Sequence, residues 1–208
     1  MSVETPDPAT SKASPAATSS DQEHVNPQWV RLLNVLQMNV RYTHCPGAEL
    51  HAEDGRRFLL KSGEIHFDLS TGRATGKVVV DSTSGESGNS SRDKKMQHDY
   101  LESQKFPEIV FAPAQVKGAL SPSGTSQVEV SGIFNLHGAD HDLMLTISVQ
   151  PQAGTPQAND QLRATTKFTI PYVQWGIQNP STFILRVSDK VDIEIHAVGK
   201  LAPTASAQ

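Results

Sequence analysis

Two imidazoles and a carboxylate stand close together at His137-Gly-Ala-Asp-His141, and His51, His66, His98 and His196 lie elsewhere in the chain. A metal would need three or four such ligands to converge, each ring fixed by a second hydrogen bond. The same spacing fits a hairpin loop, in which Gly138 and Asp140 are ordinary turn residues. An orienting role for one of these histidines at the mouth of a ligand cavity stays open. Two carboxylate pairs, Asp93 with Glu102 and Asp192 with Glu194, have the types a general acid and base require. The first pair sits in a helical stretch beside Lys94 and Lys95 and the second on the outward side of a strand, so both read as solvated charge. No G-x-S-x-G nucleophile turn occurs, and residues 85–91 have neither spacing of a phosphate-binding glycine loop. The single cysteine, Cys45, excludes an internal disulfide and a cysteine-based zinc site. Covalent chemistry has no obvious bearer, and a metal-dependent enzyme built on His137 and His141 is the weakest of the functions considered.

Composition narrows the partners. With a formal net charge of −4 over 208 residues, the chain has no electrostatic footprint for nucleic acid. No run of about 18 apolar residues could span a bilayer as a helix. Residues 1–24 are Ser, Thr, Ala and Pro with scattered charge and no Leu, Ile, Phe, Tyr or Trp. Such a segment buries too little to offset its ordering entropy, so residues 1–47 are expected to be disordered or poorly ordered. Residues 29–40 are apolar but broken by Arg31, Asn34 and Gln37, which suits an amphipathic helix or strand better than an export signal.

The elements that must position any site are mostly strands. Regular structure is expected from about Ala48. Residues 57–61 and 64–69 read as a hairpin around Ser62-Gly63, with Ile65, Phe67 and Leu69 on one face. Residues 73–81 give a further strand. Residues 85–113 alone carry a helical pattern: Ser90 and Asp93 form an S-x-x-D start, Met96, Tyr100 and Leu101 make a short apolar stripe, and Pro107 ends it. This helix is expected to pack on or across the mouth of a β structure. Strands then follow at 109–111 and 115–120, at 127–137, at 143–149 and at 162–170. The last runs from 183 to 198, after an irregular insert at 171–180.

Strict alternation with one wet face means antiparallel pairing. About eight short strands either close into a barrel or fold into a sandwich, and eight is the number at which a closed barrel can hold one small ligand. The inward face carries Ile65, Phe67, Phe111, Phe134, Phe168, Ile193 and Ile195. Alternation alone leaves two alternatives: a solid core, or a tunnel for an elongated apolar ligand.

A combination of motifs adds to this. Ser62-Gly63-Glu-Ile-His-Phe67-Asp68, Ser87-Gly88 through Arg92-Asp93, Met96, Leu101, Phe106-Pro107-Glu-Ile109-Val-Phe111, Gly132 to Gly138 with His141, Trp175-Gly176, Pro180-Ser181 and Val191-Asp192-Ile193 together resemble the YceI-like family. The resemblance covers residues 48–201. Leu50-His51-Ala-Glu-Asp54-Gly55-Arg-Arg-Phe58 keeps the outline of the family's first strands, with Asp54 where a second His would stand. Residues 29–46 match nothing in that pattern.

The resemblance implies an all-β, antiparallel, eight-stranded lipocalin-like barrel with one short helix over residues 48–201, followed by a flexible tail at 202–208. It implies a non-enzymatic bacterial protein, periplasmic or secreted, whose barrel interior holds a long-chain amphiphilic lipid: a polyisoprenoid, an isoprenoid quinone or a fatty-acid derivative. With no export signal in the chain as written, the cytoplasm also stays open, as does a homodimer. Arg92 and Asp93 would hold the helix to the barrel. Ile65, Phe67, Met96, Tyr100, Phe111, Phe134, Phe168, Trp175 and Ile193 are the pocket candidates, with the head group near Tyr100, His141 or Trp175. No cofactor is expected. The alternative function is that of a ligand-free structural or interaction domain.

Overall fold

The computed structural model describes residues 28–42, 57–121, 123–152, 161–182 and 186–203. Eight strands, β1 (Gln28–Tyr42), β2 (Arg57–Asp68), β3 (Arg73–Glu86), β4 (Glu108–Gly118), β5 (Ser126–Leu136), β6 (Ala139–Pro151), β7 (Gln161–Ile170) and β8 (Val191–Pro203), follow one another around a closed antiparallel barrel. Because the strands simply alternate in direction, every second connection lies at the same end. The helix between β3 and β4 and the described residues between β7 and β8, 171–182 and 186–190, occupy one end, called here the helix end. The β2–β3 turn and the β4–β5 connection lie at the other, the far end.

Closure rests on β1. Its ladder with β8 runs from Gln28 opposite Pro203 to Tyr42 opposite Val191, with an irregularity between Leu33 and Gln37. Its ladder with β2 is short, Gln28–Arg31 against Glu64–Phe67. Residues 28–42 thus form a barrel strand, although they fall in the stretch expected to be poorly ordered. The physical reason is that Val30, Leu32, Met38, Val40 and Tyr42 occupy the register of the inward β8 residues, an alternating apolar set that the polar residues between them obscure. Residues 1–27 and 43–56, including His51 and Asp54, lie outside the described residues, as does 204–208.

One expected turn and one expected strand break are bulges instead. Ser62-Gly63 does not reverse the chain: β2 runs straight through, and the register steps from Leu60–Val80 to Ser62–Val79, leaving one extra residue on β2. Likewise β4 continues past Pro113, which sits at a register shift in the β4–β5 ladder, one of the few places a sheet tolerates proline. The final strand starts at Val191 rather than at 183. The expected hairpin at residues 137–141 is present, with His137-Gly138 as a two-residue turn and Asp140 and His141 already in β6.

The helix, α1 (Ser90–Lys95), continues into one wider turn, Met96–Tyr100, closed by Leu101 N–H on the Met96 carbonyl at 2.9 Å. Its cap is Asn89 rather than Ser90: the Asn89 side chain accepts from Arg92 N–H at 3.1 Å. Asp93 turns to Ser87, whose hydroxyl donates to it at 2.5 Å, and Arg92 donates to the same hydroxyl at 3.0 Å. Arg92 and Asp93 therefore fasten the helix start to the end of β3. A helix this short needs tertiary support. Met96 supplies it, buried against Phe58 where Gly85 leaves room for both. The loop that follows is tied to β3 at buried Ser82. Its hydroxyl donates to the Phe106 carbonyl at 2.6 Å, and its carbonyl accepts from the Ser103 hydroxyl at 3.0 Å.

Gly76 marks another irregularity, between Arg73 and Val78 in the β3–β4 ladder. Its φ of +107° lies where L side chains rarely go, and a Cβ would overlap the Glu64 carbonyl. Gly76→Ala is therefore expected to cost more than about 2 kcal/mol of stability in denaturant unfolding. Gly88→Ala, also at positive φ but with open space around it, is expected to cost about 1 kcal/mol. Equal effects would contradict the role given to the backbone contact.

Candidate functional site

Inward side chains differ sharply between the two ends of the barrel. At the far end many are short, Ala74, Val116, Val128, Val149, Ala164, Ala197 and Gly199, set among the larger Phe67, Leu69, Leu120 and Leu162. An eight-stranded barrel has a diameter set by its strand number, so residues of this size do not reach across it. A cavity of about 180 Å³ results, running from Leu69 and Leu120 at the far end to Phe111, Phe134 and Phe168 near the middle. Its lining is apolar apart from Thr166, whose hydroxyl is committed to the Thr146 carbonyl at 2.9 Å.

At the helix end the interior is filled. Phe58, Met96, Leu136, Tyr172, Ile177, Val191 and Ile193 are buried in one packed cluster with Phe134. Phe134 meets Phe168 edge-on at 6.2 Å and Trp175 at 6.0 Å. Trp175 in turn stacks flat on His141, with ring centroids 3.9 Å apart and planes 7° apart.

Of the sequence-derived pocket candidates, Ile65, Phe67, Phe111, Phe134 and Phe168 line the cavity. Met96, Tyr100, Trp175 and Ile193 do not: they belong to the packed cluster at the helix end. The helix therefore covers the filled end of the barrel instead of capping the cavity. Trp175 joins Phe134 to His141, and Tyr100 packs on the same cluster. The helix packs on one end of the barrel, as expected, and the aromatic residues clustered there fill the space they enclose. Val78, Leu120, Leu145, Ile147 and Leu162 are lining residues the sequence did not single out. Their signal was alternation itself, continued to the strand ends furthest from the helix.

The histidines are dispersed. His137, in a left-handed turn position with φ of 55°, places Nε2 2.7 Å from Glu102 and its ring 4.5 Å from Phe106. His66 pairs with Glu64, His98 with Asp99 and His196 with Glu194, each at 2.8 or 2.9 Å. Among the described residues no three His, Cys, Asp or Glu side chains converge as metal ligands would. The carboxylate pairs have separate partners: Asp93 holds Ser87, Glu102 faces His137, Asp192 accepts from Thr169 at 2.6 Å and Glu194 meets His196. Two buried nitrogens, His137 Nε2 and His141 Nε2, have no hydrogen-bond partner among the described residues. The Glu102 carboxylate lies near the first but off the line an N–H bond needs.

A closed up-and-down barrel around an apolar void is the architecture of proteins that enclose a small apolar ligand. The family to which this barrel belongs is shown by sequence: the YceI-like domain matches residues 21–199, and the chain is a member of that family. The match begins upstream of β1, in accord with that strand's place in the barrel. Solved structures share the fold. A polyisoprenoid-binding domain from Saccharophagus degradans, implicated in plant cell wall breakdown, is 14% identical with a TM-score of 0.60, covering 83% of this chain and 98% of its own. A YceI protein from Campylobacter jejuni is 14% identical with a TM-score of 0.52, covering 80% and 91%. No curated protein sequence matches this chain.

The far-end wall of the cavity depends on the turn that carries Leu69. Asp68 accepts there from the Ser70 hydroxyl at 2.6 Å, the Ser70 N–H at 2.9 Å and the Thr71 N–H at 3.4 Å. These bonds, first those from the Ser70 and Thr71 side chains, hold the Asp68 carboxyl below its ordinary range. A depressed carboxylate stabilises the fold above its unfolded-state pKa and loses that contribution as pH falls through the lower folded value. The melting temperature of the native protein should thus exceed that of Asp68→Asn at about pH 6, and the gap should close by about pH 2. A gap independent of pH would show that the turn does not rely on the charge.

Proposed function

We propose that this protein binds and carries a long-chain amphiphilic lipid, a polyisoprenoid, isoprenoid quinone or fatty-acid derivative, with an apolar segment of the chain in the cavity and no covalent chemistry. The observation that carries this reading is the void itself. An empty space of about 180 Å³ in an otherwise packed interior costs on the order of 4 kcal/mol at the price per volume measured for engineered cavities. A purely structural barrel would fill it with larger side chains, as this one does at its helix end. The apolar lining disfavours water and polar guests and suits hydrocarbon, each buried methylene of which contributes about 0.8 kcal/mol. Family membership supports the same reading, as does the polyisoprenoid-binding domain that shares the fold. A periplasmic or secreted setting, typical of the family, belongs to this proposal. Among the described residues no helix is long and apolar enough to cross a membrane.

Native mass spectrometry of protein purified from its own host tests the proposal. A lipid mass that disappears on organic extraction is expected, and repeated recovery of ligand-free protein would sink the idea. A second measurement locates the binding. Ala164→Leu places three more carbons in the void, so affinity for a long-chain alcohol should fall at least about tenfold while the melting temperature holds or rises. Loss of stability with unchanged affinity would make Ala164 an ordinary core residue and place the ligand elsewhere.

A further inference from the structure

The cavity is short for the ligand proposed. Engineered voids of about 150 Å³ accept benzene, and pockets that enclose larger ligands run to roughly 300–1,000 Å³. At about 180 Å³ the described space takes a chain of on the order of six carbons, and its inner end is stopped by Phe134 and the groups behind it.

Those groups are not held equally. Phe111, Phe134 and Ile193 have ladder partners on both sides, and Phe168 has one, Ile193. Trp175 sits on the turn at residues 172–176, outside the sheet. It stands where the wall is open: β6 and β7 are hydrogen-bonded only over Ile147–Pro151 with Leu162–Thr166, so the parts of both strands nearer the helix end lack each other as partners. The turn itself is anchored on either side of the indole, by buried Tyr172, whose hydroxyl donates to the Ser188 carbonyl at 2.6 Å, and by buried Ile177. Trp175 between them is only half buried. Gly176, the next residue, has φ of +91° and open space around its Cα. Behind the indole lies His141, whose Nε2 is buried without a partner among the described residues and can donate or accept according to tautomer.

We propose that Trp175 sets the chain-length limit of the cavity. A chain longer than the space before Phe134 is accommodated when the indole leaves the face of His141, and its end then lies between β6 and β7, within reach of His141 Nε2. The backbone anchors stay in place, and the movement is one of the side chain about the Trp175–Gly176 corner. This rests on the lipid-carrier function proposed above and specifies which residues decide the length of lipid carried.

The test uses the full chain labelled with 5-fluorotryptophan, which gives two fluorine resonances, from Trp29 and Trp175; the second is assigned by its loss in Trp175→Phe. Two probes are titrated, 1-hexanol and the fifteen-carbon alcohol farnesol, with calorimetry for affinity. Both should bind, and only farnesol should move the Trp175 resonance. Trp175→Ala should raise farnesol affinity roughly tenfold, the effect of about two more buried methylenes, with hexanol affinity unchanged. Should Trp175→Ala fail to fold, the resonance shift in the native chain still decides. Farnesol binding with an unmoved Trp175 resonance overturns this inference alone. Binding of neither probe overturns the carrier function and this inference with it.

Discussion

The ladder between the first and last strands is the interaction on which the rest of the molecule depends. Without β1 against β8, residues 191–203 would be a sheet edge and the inward faces of β7 and β8 would meet water. With it, the interior is closed off, and its width is set by the number of strands instead of by the side chains that point inward. Residue size then decides what each level of the barrel becomes. Where Tyr, Trp and Met join Phe in one cluster the space is filled, and where Ala, Val and Gly predominate among the inward residues it is left open. Cavity and plug are thus two outcomes of one constraint.

The same division explains why the potentially reactive side chains at the helix end carry structure. His137 and Glu102 bring the loop after the helix to the β5–β6 turn. Arg92, Asp93 and Ser87 seat the helix on β3. His141 backs Trp175. Each sits beside or behind the aromatic plug, and the cavity wall beyond it is hydrocarbon. The binding proposed for this molecule is accordingly a matter of shape and length, with little scope for head-group recognition inside the void.

Much of this was legible from residues alone. Alternation gave the inward faces of β5 through β8 and antiparallel pairing, and the motif around Arg92-Asp93 and Phe106-Pro107 pointed to the family that the sequence match shows and, through it, to the eight-stranded barrel. Other features were hidden for identifiable reasons. Strand β1 reads as broken because Asn34 falls in its irregular middle, so the run of apolar even-numbered positions is interrupted once. Ser62-Gly63 looks like a turn because bulges and turns use the same small residues. Which end is hollow was not legible, since aromatic residues attract attention as pocket walls while a void is made by the short side chains between them. The position of Trp175 beside Phe134 follows from the path of the segment after β7, which no periodicity encodes.

The central claim is that a lipid chain occupies the far-end cavity. Diffraction from crystals of delipidated protein soaked with a long-chain alcohol brominated at its terminal carbon tests this most directly. The account predicts an anomalous bromine peak inside the barrel, on the inner side of Val130 and near Phe134. A peak confined to the outer surface, or an interior that stays empty in protein that binds the alcohol in solution, would contradict it.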